Sequence, residues 1–278
     1  MKHIFDEVSN ECSKLTTIAY STSFSLGIRV LEKKLHHPIY GIYGFVRFAD
    51  EIVDTFHNYN KFQLFEDFKK DTYKAIENKI SLNPILNSFQ KVVNDYNIDL
   101  KLIDTFLESM EMDLQPQVYD TKKYNLYILG SAEVVGLMCL QVFVDGDKKS
   151  FEKLKPYAMS LGSAFQKINF LRDANADFEE LGRTYFPNID MHNFSELDKL
   201  KIEDDIEEDF KKALVGIKML KNGSRGGVYL AYVYYYNLFR KIQDLPSSRV
   251  LEERVRVANS NKFFLMCQSI VKNQFNWI

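Results

Sequence analysis

Two stretches of the chain place a pair of aspartates four residues apart in apolar surroundings. The first, "YGIYGFVRFADEIVDTF", holds Asp50 and Asp54 behind Arg47; the second, "LGSAFQKINFLRDANADFEELGRTYFP", holds Asp173 and Asp177. On a helix turning about 100° per residue, Tyr43, Arg47, Asp50 and Asp54 share a stripe about 60° wide, with Glu51 at its edge. Gly162, Gln166, Asn169, Asp173 and Asp177 follow steps of 4, 3, 4 and 4 and make a second narrow stripe. A solvated face is normally broad. An acidic stripe hemmed in by Phe45, Phe48, Ala49, Ile52 and Phe56 is enclosed, and unpaired carboxylates there are costly. On the first helix alone, Arg47 and a bound cation are equally good partners for it. The second pair shifts that balance. The two pairs lie 173 − 50 = 123 residues apart, enough for a helical bundle to face them across a cavity, where carboxylates repel unless cations lie between them.

The donor types select the cation. Hard oxygen ligands without a nearby His or Cys favour Mg²⁺, which takes one or two carboxylates and bridges substrate phosphates, so a diphosphate substrate is expected. A di-iron bundle would need paired Glu-x-x-His motifs, which His3, His36, His37, His57 and His192 do not supply. Neither a GxxxxGK[ST] loop nor a GxGxxG fingerprint occurs.

The elements that must carry these stripes are helices. Apolar residues recur at three- and four-residue intervals in "FQLFEDFKKDTYKAI", "NPILNSFQKVVNDY", "DLKLIDTFLESMEMDL" and "DDIEEDFKKALVGIKML". Short breaks fall at "EKKLHHP", "ENKISLNP", "DLQPQVYD", "VDGDKKS", "KNGSRGG" and "DLPSSR", none of them a domain linker. One all-α domain over residues 1–278 is expected. With 46% hydrophobic and 27% charged residues the chain can bury a large core, and a net charge of −2 gives no general field for nucleic acid, which is excluded as a partner. Cys12, Cys139 and Cys267 read as buried free thiols of a reducing cytoplasm. "MKHIFDEVSNECSK" lacks a signal-peptide core, and no run of about 18 uninterrupted apolar residues follows. A soluble cytoplasmic protein is expected, in contact with a membrane only peripherally.

The motifs "YGFVRFADEIVD" and "AFQKINFLRDANADFEELGRTYFP", with "SAEVVGLMCLQVF" between them, resemble the phytoene and squalene synthase family of head-to-head prenyl transferases, in order and over nearly the whole chain. The resemblance implies an isoprenoid-synthase-type helical bundle around a central cavity. It implies that Asp50 and Asp54 hold one magnesium cluster and Asp173 and Asp177 the other, with Mn²⁺ as a substitute. Gln166 and Asn169 would line the cavity beside them, and Tyr43 would join from the first motif helix. "STSF" would bring Ser21, Ser23 and Phe24 near substrate, and Arg47, Arg172 and Arg183 would contact diphosphate through forked donation. Tyr185 of "GRTYFP", Tyr235 and Arg254 complete the implied set. Many members carry an acidic residue immediately before the last motif aspartate, where this chain has Ala176; Glu179 and Glu180 then act through water or are simply solvated.

The implied reaction ionises one allylic diphosphate, couples it to the double bond of a second, and passes through a cyclopropyl diphosphate. Phytoene from two geranylgeranyl diphosphates, without NADPH, is the favoured product. Squalene or dehydrosqualene from farnesyl diphosphate is the alternative, and a non-catalytic assembly factor is disfavoured by the intact aspartate pairs. A cyclase of the same fold would carry an NSE-like motif that "NDYNIDL" does not supply. Gly130, Ser131, Ala132, Gly136 and Gly162 either open space for prenyl chains or let helices pack closely. Phe24, Phe45, Phe165, Phe170 and Leu137 are the expected walls, and "VYLAYVYYYNLF" is expected at core and cavity rim.

Overall fold

The structure is a computed structural model that describes residues 1–115, 119–179, 186–187, 189–190, 193–252, 255, 259–274 and 278, with the side chains of 175–179, 259–264 and 271 outside the description. Among the described residues every regular element is helical. In chain order these are α1 (Lys2–Tyr20), α2 (Thr22–Val30), α3 (Lys33–Asp54), α4 (Lys61–Asn78), α5 (Pro84–Tyr96), α6 (Leu100–Met112) and α7 (Thr121–Ile128). A five-residue π segment, Leu129–Glu133, leads into α8 (Val134–Phe143), followed by α9 (Lys148–Glu179), α10 (Glu196–Met219), α11 (Asn222–Gln243), α12 (Ser247–Val250) and α13 (Asn259–Gln274).

The turn residues in the sequence act as helix ends. Asn83 accepts from Ile85 and Leu86 N–H with Pro84 at the first helical position, Asp99 caps α6, and Ser195 and Asp198 close a reciprocal capping box on α10. Lys79, Asn97, Asp145 and Gly146 reverse the chain at positive φ.

Two apolar cores stand side by side. In the first, Phe45 of α3 stacks on Phe89 of α5 at 3.8 Å and lies against Phe68 of α4 and Phe106 of α6. The second joins α9, α10 and α11 through Ile168, Phe210, Leu238 and Phe239. Each aspartate motif therefore belongs to a different core. The helical run Thr121–Phe143 is long and, on average, apolar enough to cross a membrane, although polar residues such as Ser131 and Glu133 interrupt it. Here it packs against α3, α6 and α9, where Val134, Leu137, Met138, Leu140 and Val142 are buried.

Candidate active site

Helix α3 has two faces with different work. Ile42, Phe45, Ala49 and Val53 enter the first core, which turns Tyr43, Val46, Arg47 and Asp50 toward a cavity of about 390 Å³. Helix α9 is oriented from behind. Lys167 pairs with Asp205 at 2.5 Å and Asp209 at 2.8 Å, and the Ser163 hydroxyl donates to Asp209 at 2.7 Å, pinning α9 to α10. That leaves Leu161, Gly162, Phe165, Gln166 and Asn169 on the same cavity. The π segment brings in Ser131 and Ala132, and Gly162 lets α9 approach it: a Cβ there would lie 2.7 Å from the Ala132 carbonyl oxygen.

An aromatic group joins the two motif helices. The ring of Phe24, on α2, lies 5.8 Å from Tyr43, 6.0 Å from Tyr235 and 6.4 Å from Phe165, and Phe165 stacks on Tyr235 at 3.9 Å. The Tyr235 hydroxyl donates to Asn169 Oδ1 at 3.4 Å. Ser21 caps α2 by accepting from Phe24 N–H at 3.2 Å, and its hydroxyl also interacts with Tyr43. From Asn169 the cavity wall on α9 descends fifteen residues to Leu154, about 22 Å at 1.5 Å per residue. At that end Leu140, Phe143, Leu154, Tyr157 and Leu220 close it, members of a small apolar cluster of their own. One end is charged and polar; the other is hydrocarbon.

The charged end is internally paired. Arg47 Nη1 binds Asp50 and Nη2 binds Glu51, while the guanidinium carbon sits 4.2 Å from the Tyr20 ring centre. Arg47 Nε is buried and has no hydrogen-bond partner. Burial works against the Arg47 charge, but Asp50 and Glu51 outweigh it and raise its pKa. Burial, then the neighbouring Asp54, pushes the Asp50 carboxyl up to about 6, with Arg47 opposing. Burial pushes Tyr43 up to about 12, and raises Tyr235 as well. Arg172 Nε donates to Asp173 Oδ1 at 3.0 Å, and its Nη2 pairs with the same carboxylate. Asp54 is exposed at the end of α3.

The donor set fits a divalent cation bridged by phosphate. Asp50, Asp54 and Asp173 offer only oxygen, and Arg47, which lines the cavity with Asp50, carries a buried Nε donor that has no hydrogen-bond partner. Among the described residues no three His, Cys, Asp or Glu side chains converge as a ready-made metal site.

Of the sequence-derived residues, Phe24, Tyr43, Arg47, Asp50, Gln166, Asn169 and Tyr235 line this one cavity. Ser21, Ser23, Asp54, Arg172 and Asp173 lie outside its lining, and the Asp177 side chain, Arg183, Tyr185 and Arg254 fall outside the described residues, as do the Glu179 side chain and Glu180. Several expectations need correction. Phe45, Phe170 and Leu137 are not in the cavity lining: Phe45 and Phe170 are buried in the two main cores, and Leu137 is buried within the small cluster behind the apolar end of the cavity. Gly130 opens no space: a Cβ there would lie 2.4 Å from Ser109 Cβ, so it serves helix contact. Cys267 is exposed and Cys12 and Cys139 are half-buried, so the three free thiols are not all interior. Tyr20, on Arg47, was not foreseen; an aromatic residue at the end of an amphipathic helix carries no motif signal. "VYLAYVYYYNLF" divides as expected, with Tyr229, Tyr232 and Tyr234 buried and Val228, Ala231 and Tyr235 on the cavity.

Comparison with known proteins bears on the family and the fold. A phytoene synthase from Arthrospira platensis is 26% identical over 204 residues, covering 69% of this chain and 66% of that protein. A presqualene diphosphate synthase from Rhodopseudomonas palustris is 24% identical over 181 residues, covering 63% and 61%. For Phytoene synthase 1, chloroplastic, from Solanum lycopersicum the values are 25% identity, 68% and 46%. The chain thus spans about half to two thirds of the length of the relatives it matches. Among solved structures, a dehydrosqualene synthase in complex with ligand superposes with a TM-score of 0.83 at 19% identity, covering 97% of this chain and 98% of that one. A squalene synthase from Alicyclobacillus acidocaldarius gives 0.74 at 17% identity, covering 86% and 95%. At these identities the likeness concerns the fold. The family described as squalene/phytoene synthase matches residues 18–261, and the chain belongs to that family.

Proposed function

We propose that this chain condenses two prenyl diphosphates head to head through a cyclopropyl diphosphate, with geranylgeranyl diphosphate as substrate and phytoene as product. One observation carries the reading: a single cavity joins the Asp50 stripe and the Gln166/Asn169 stripe at a polar end and runs into hydrocarbon walls. A diphosphate seated among Asp50, Asp54, Asp173 and Asp177 would be held by magnesium, or manganese in its place, which neutralises the leaving group when bound. Arg47 and Arg172 supply forked donors to the same oxygens, and the roles of Arg183, Tyr185 and Arg254 follow from the family resemblance. Ser21 and Ser23 sit on the turn that presents Phe24. The rings of Phe24, Phe165, Tyr43 and Tyr235 stand where positive charge develops on the allylic carbon, and their quadrupoles stabilise it. The walls below exclude water, which would otherwise quench that charge. A hydrocarbon product needs an apolar acceptor, so release at a membrane surface by a cytoplasmic enzyme goes with this reading.

Relatives named phytoene synthase support the product assignment. A second reading, farnesyl diphosphate carried to presqualene diphosphate, squalene or dehydrosqualene, is favoured by a presqualene diphosphate synthase from Zymomonas mobilis that is 29% identical over 212 residues. Purified protein incubated with magnesium and either farnesyl or geranylgeranyl diphosphate, with and without NADPH, tests both. Phytoene formed without reductant is expected. Squalene formed only with NADPH, or a product from farnesyl diphosphate alone, would select the second reading.

A further inference from the structure

We propose that Tyr20 and Glu51 are positioning residues that hold the Arg47 guanidinium ready for a diphosphate while Asp50 is given up to the metal. This rests on the function proposed above. Arg47 is gripped from three directions: Asp50 at Nη1, Glu51 at Nη2 and the Tyr20 ring across its face at 4.2 Å. These grips are not equivalent. Asp50 lines the cavity, whereas Glu51 stands at the edge of the helix stripe and is absent from the lining, its carboxylate already committed to Arg47. On the helical wheel Arg47 falls between the two, so one guanidinium can reach both. When Asp50 turns to a cation, Glu51 and Tyr20 still fix the orientation of the side chain. One donor of a cavity-lining side chain is then freed, Nη1, released by Asp50. A diphosphate oxygen takes the place of the carboxylate.

The fold holds Tyr20 where this needs it. Helix α1 packs closely on its neighbours through Ser9, Ser13 and Thr17, all fully buried, and a Cβ on Gly44 would lie 3.1 Å from Ser13 Oγ. One turn beyond Thr17 the helix ends at Tyr20, and the Ser21 cap on α2 fixes the corner. Tyr20 is 49% exposed, so its ring contributes to Arg47 rather than to a core.

The test compares wild type with Tyr20→Leu, Tyr20→Phe and Glu51→Gln, measuring magnesium-dependent thermal stabilisation by a non-hydrolysable geranylgeranyl thiolodiphosphate, and then KM and kcat with the natural diphosphate. Tyr20→Leu should weaken analogue affinity about two- to fivefold, the range of an exposed cation–π contact, and Tyr20→Phe should restore it. Glu51→Gln should weaken it by about tenfold, since a charge-assisted bond is lost. In each variant the melting temperature without ligand should stay close to wild type, which separates positioning from a folding role. KM should rise more than kcat falls. Equal affinity of wild type and Tyr20→Leu, or equal losses in Tyr20→Phe and Tyr20→Leu, would overturn the clamp while leaving the proposed reaction standing. Wild-type protein that binds neither analogue nor substrate would overturn the parent reading and this inference with it.

Discussion

Replacing Asp50 by Asn separates a residue kept for chemistry from one kept for stability. In the folded chain burial and Asp54 push the Asp50 carboxyl up from 3.8 to about 6. A raised acid pKa means that the folded state binds a proton more readily than the unfolded state. The associated stability is therefore complete below about pH 4 and is lost as pH rises through about 6, so that at neutral pH the folded protein carries a charge it would be more stable without. Two units would correspond to about 3 kcal/mol. The side chain is 32% exposed, however, and solvent screening reduces the figure to about 1–2 kcal/mol. Asn removes the charge and keeps a polar group beside Arg47, whose other carboxylate partner, Glu51, remains. Asp50→Asn should thus melt about 2–4 °C above wild type at pH 8 and close to it at pH 4–5. Stabilisation by magnesium with a prenyl diphosphate analogue should vanish, and so should turnover. The assays are thermal unfolding at the two pH values and product formation. A variant less stable than wild type at pH 8 would show that Asp50 is held as a structural ion pair, and a fully active variant would remove it from the metal cluster.

Two further outcomes follow from the same geometry. Leu154→Phe, at the apolar end of the cavity, should shorten it and lower kcat/KM for geranylgeranyl relative to farnesyl diphosphate by roughly tenfold, measured in competition; an unchanged ratio would place the chain-length limit elsewhere. Magnesium alone should raise the melting temperature little, and magnesium with the diphosphate analogue much more, by about 2.7 kcal/mol at a hundredfold excess over Kd; equal shifts would indicate a preformed metal cage.

What was legible in the sequence was the part written in charge and period. Arg47, Asp50, Gln166 and Asn169 stand out because polar residues at steps of three and four inside apolar helices have few explanations, and all four line the cavity. The walls were not legible. Phe45 and Phe165 look alike in sequence, each beside its motif stripe, yet one stacks in a core on Phe89 and the other on Tyr235 in the cavity. Apolar side chains on a helix buried all round carry no mark of which neighbour is protein and which is space. The small residues split in the same way: Gly162 both lines the cavity and admits a backbone carbonyl, whereas Gly130 only admits a neighbouring helix. The π segment Leu129–Glu133 has no sequence period to announce it, and "LGSAE" shows only small residues at a crowded crossing.

The pairing of arginine with aspartate in both motifs explains why metal and diphosphate should arrive together. Arg47 binds Asp50 within α3, and Arg172 binds its neighbour Asp173 within α9, so each stripe is partly neutralised before any cation is present. This avoids the cost of bare carboxylates in partly buried surroundings. A divalent cation entering alone must compete with a guanidinium for the aspartate and would leave that guanidinium beside it, two like charges in a confined space. A diphosphate entering alone meets the arginines but also the carboxylates they were balancing. On the function proposed above, both together would close the exchange: the aspartates would hold the metal and the arginines the phosphate oxygens, so that the number of paired charges would rise without stranding any of them. In the free protein these opposite charges partly satisfy each other, although Asp50 still carries a charge the fold would be more stable without; on that proposed function, the same charges would become a substrate site when both partners for them are supplied.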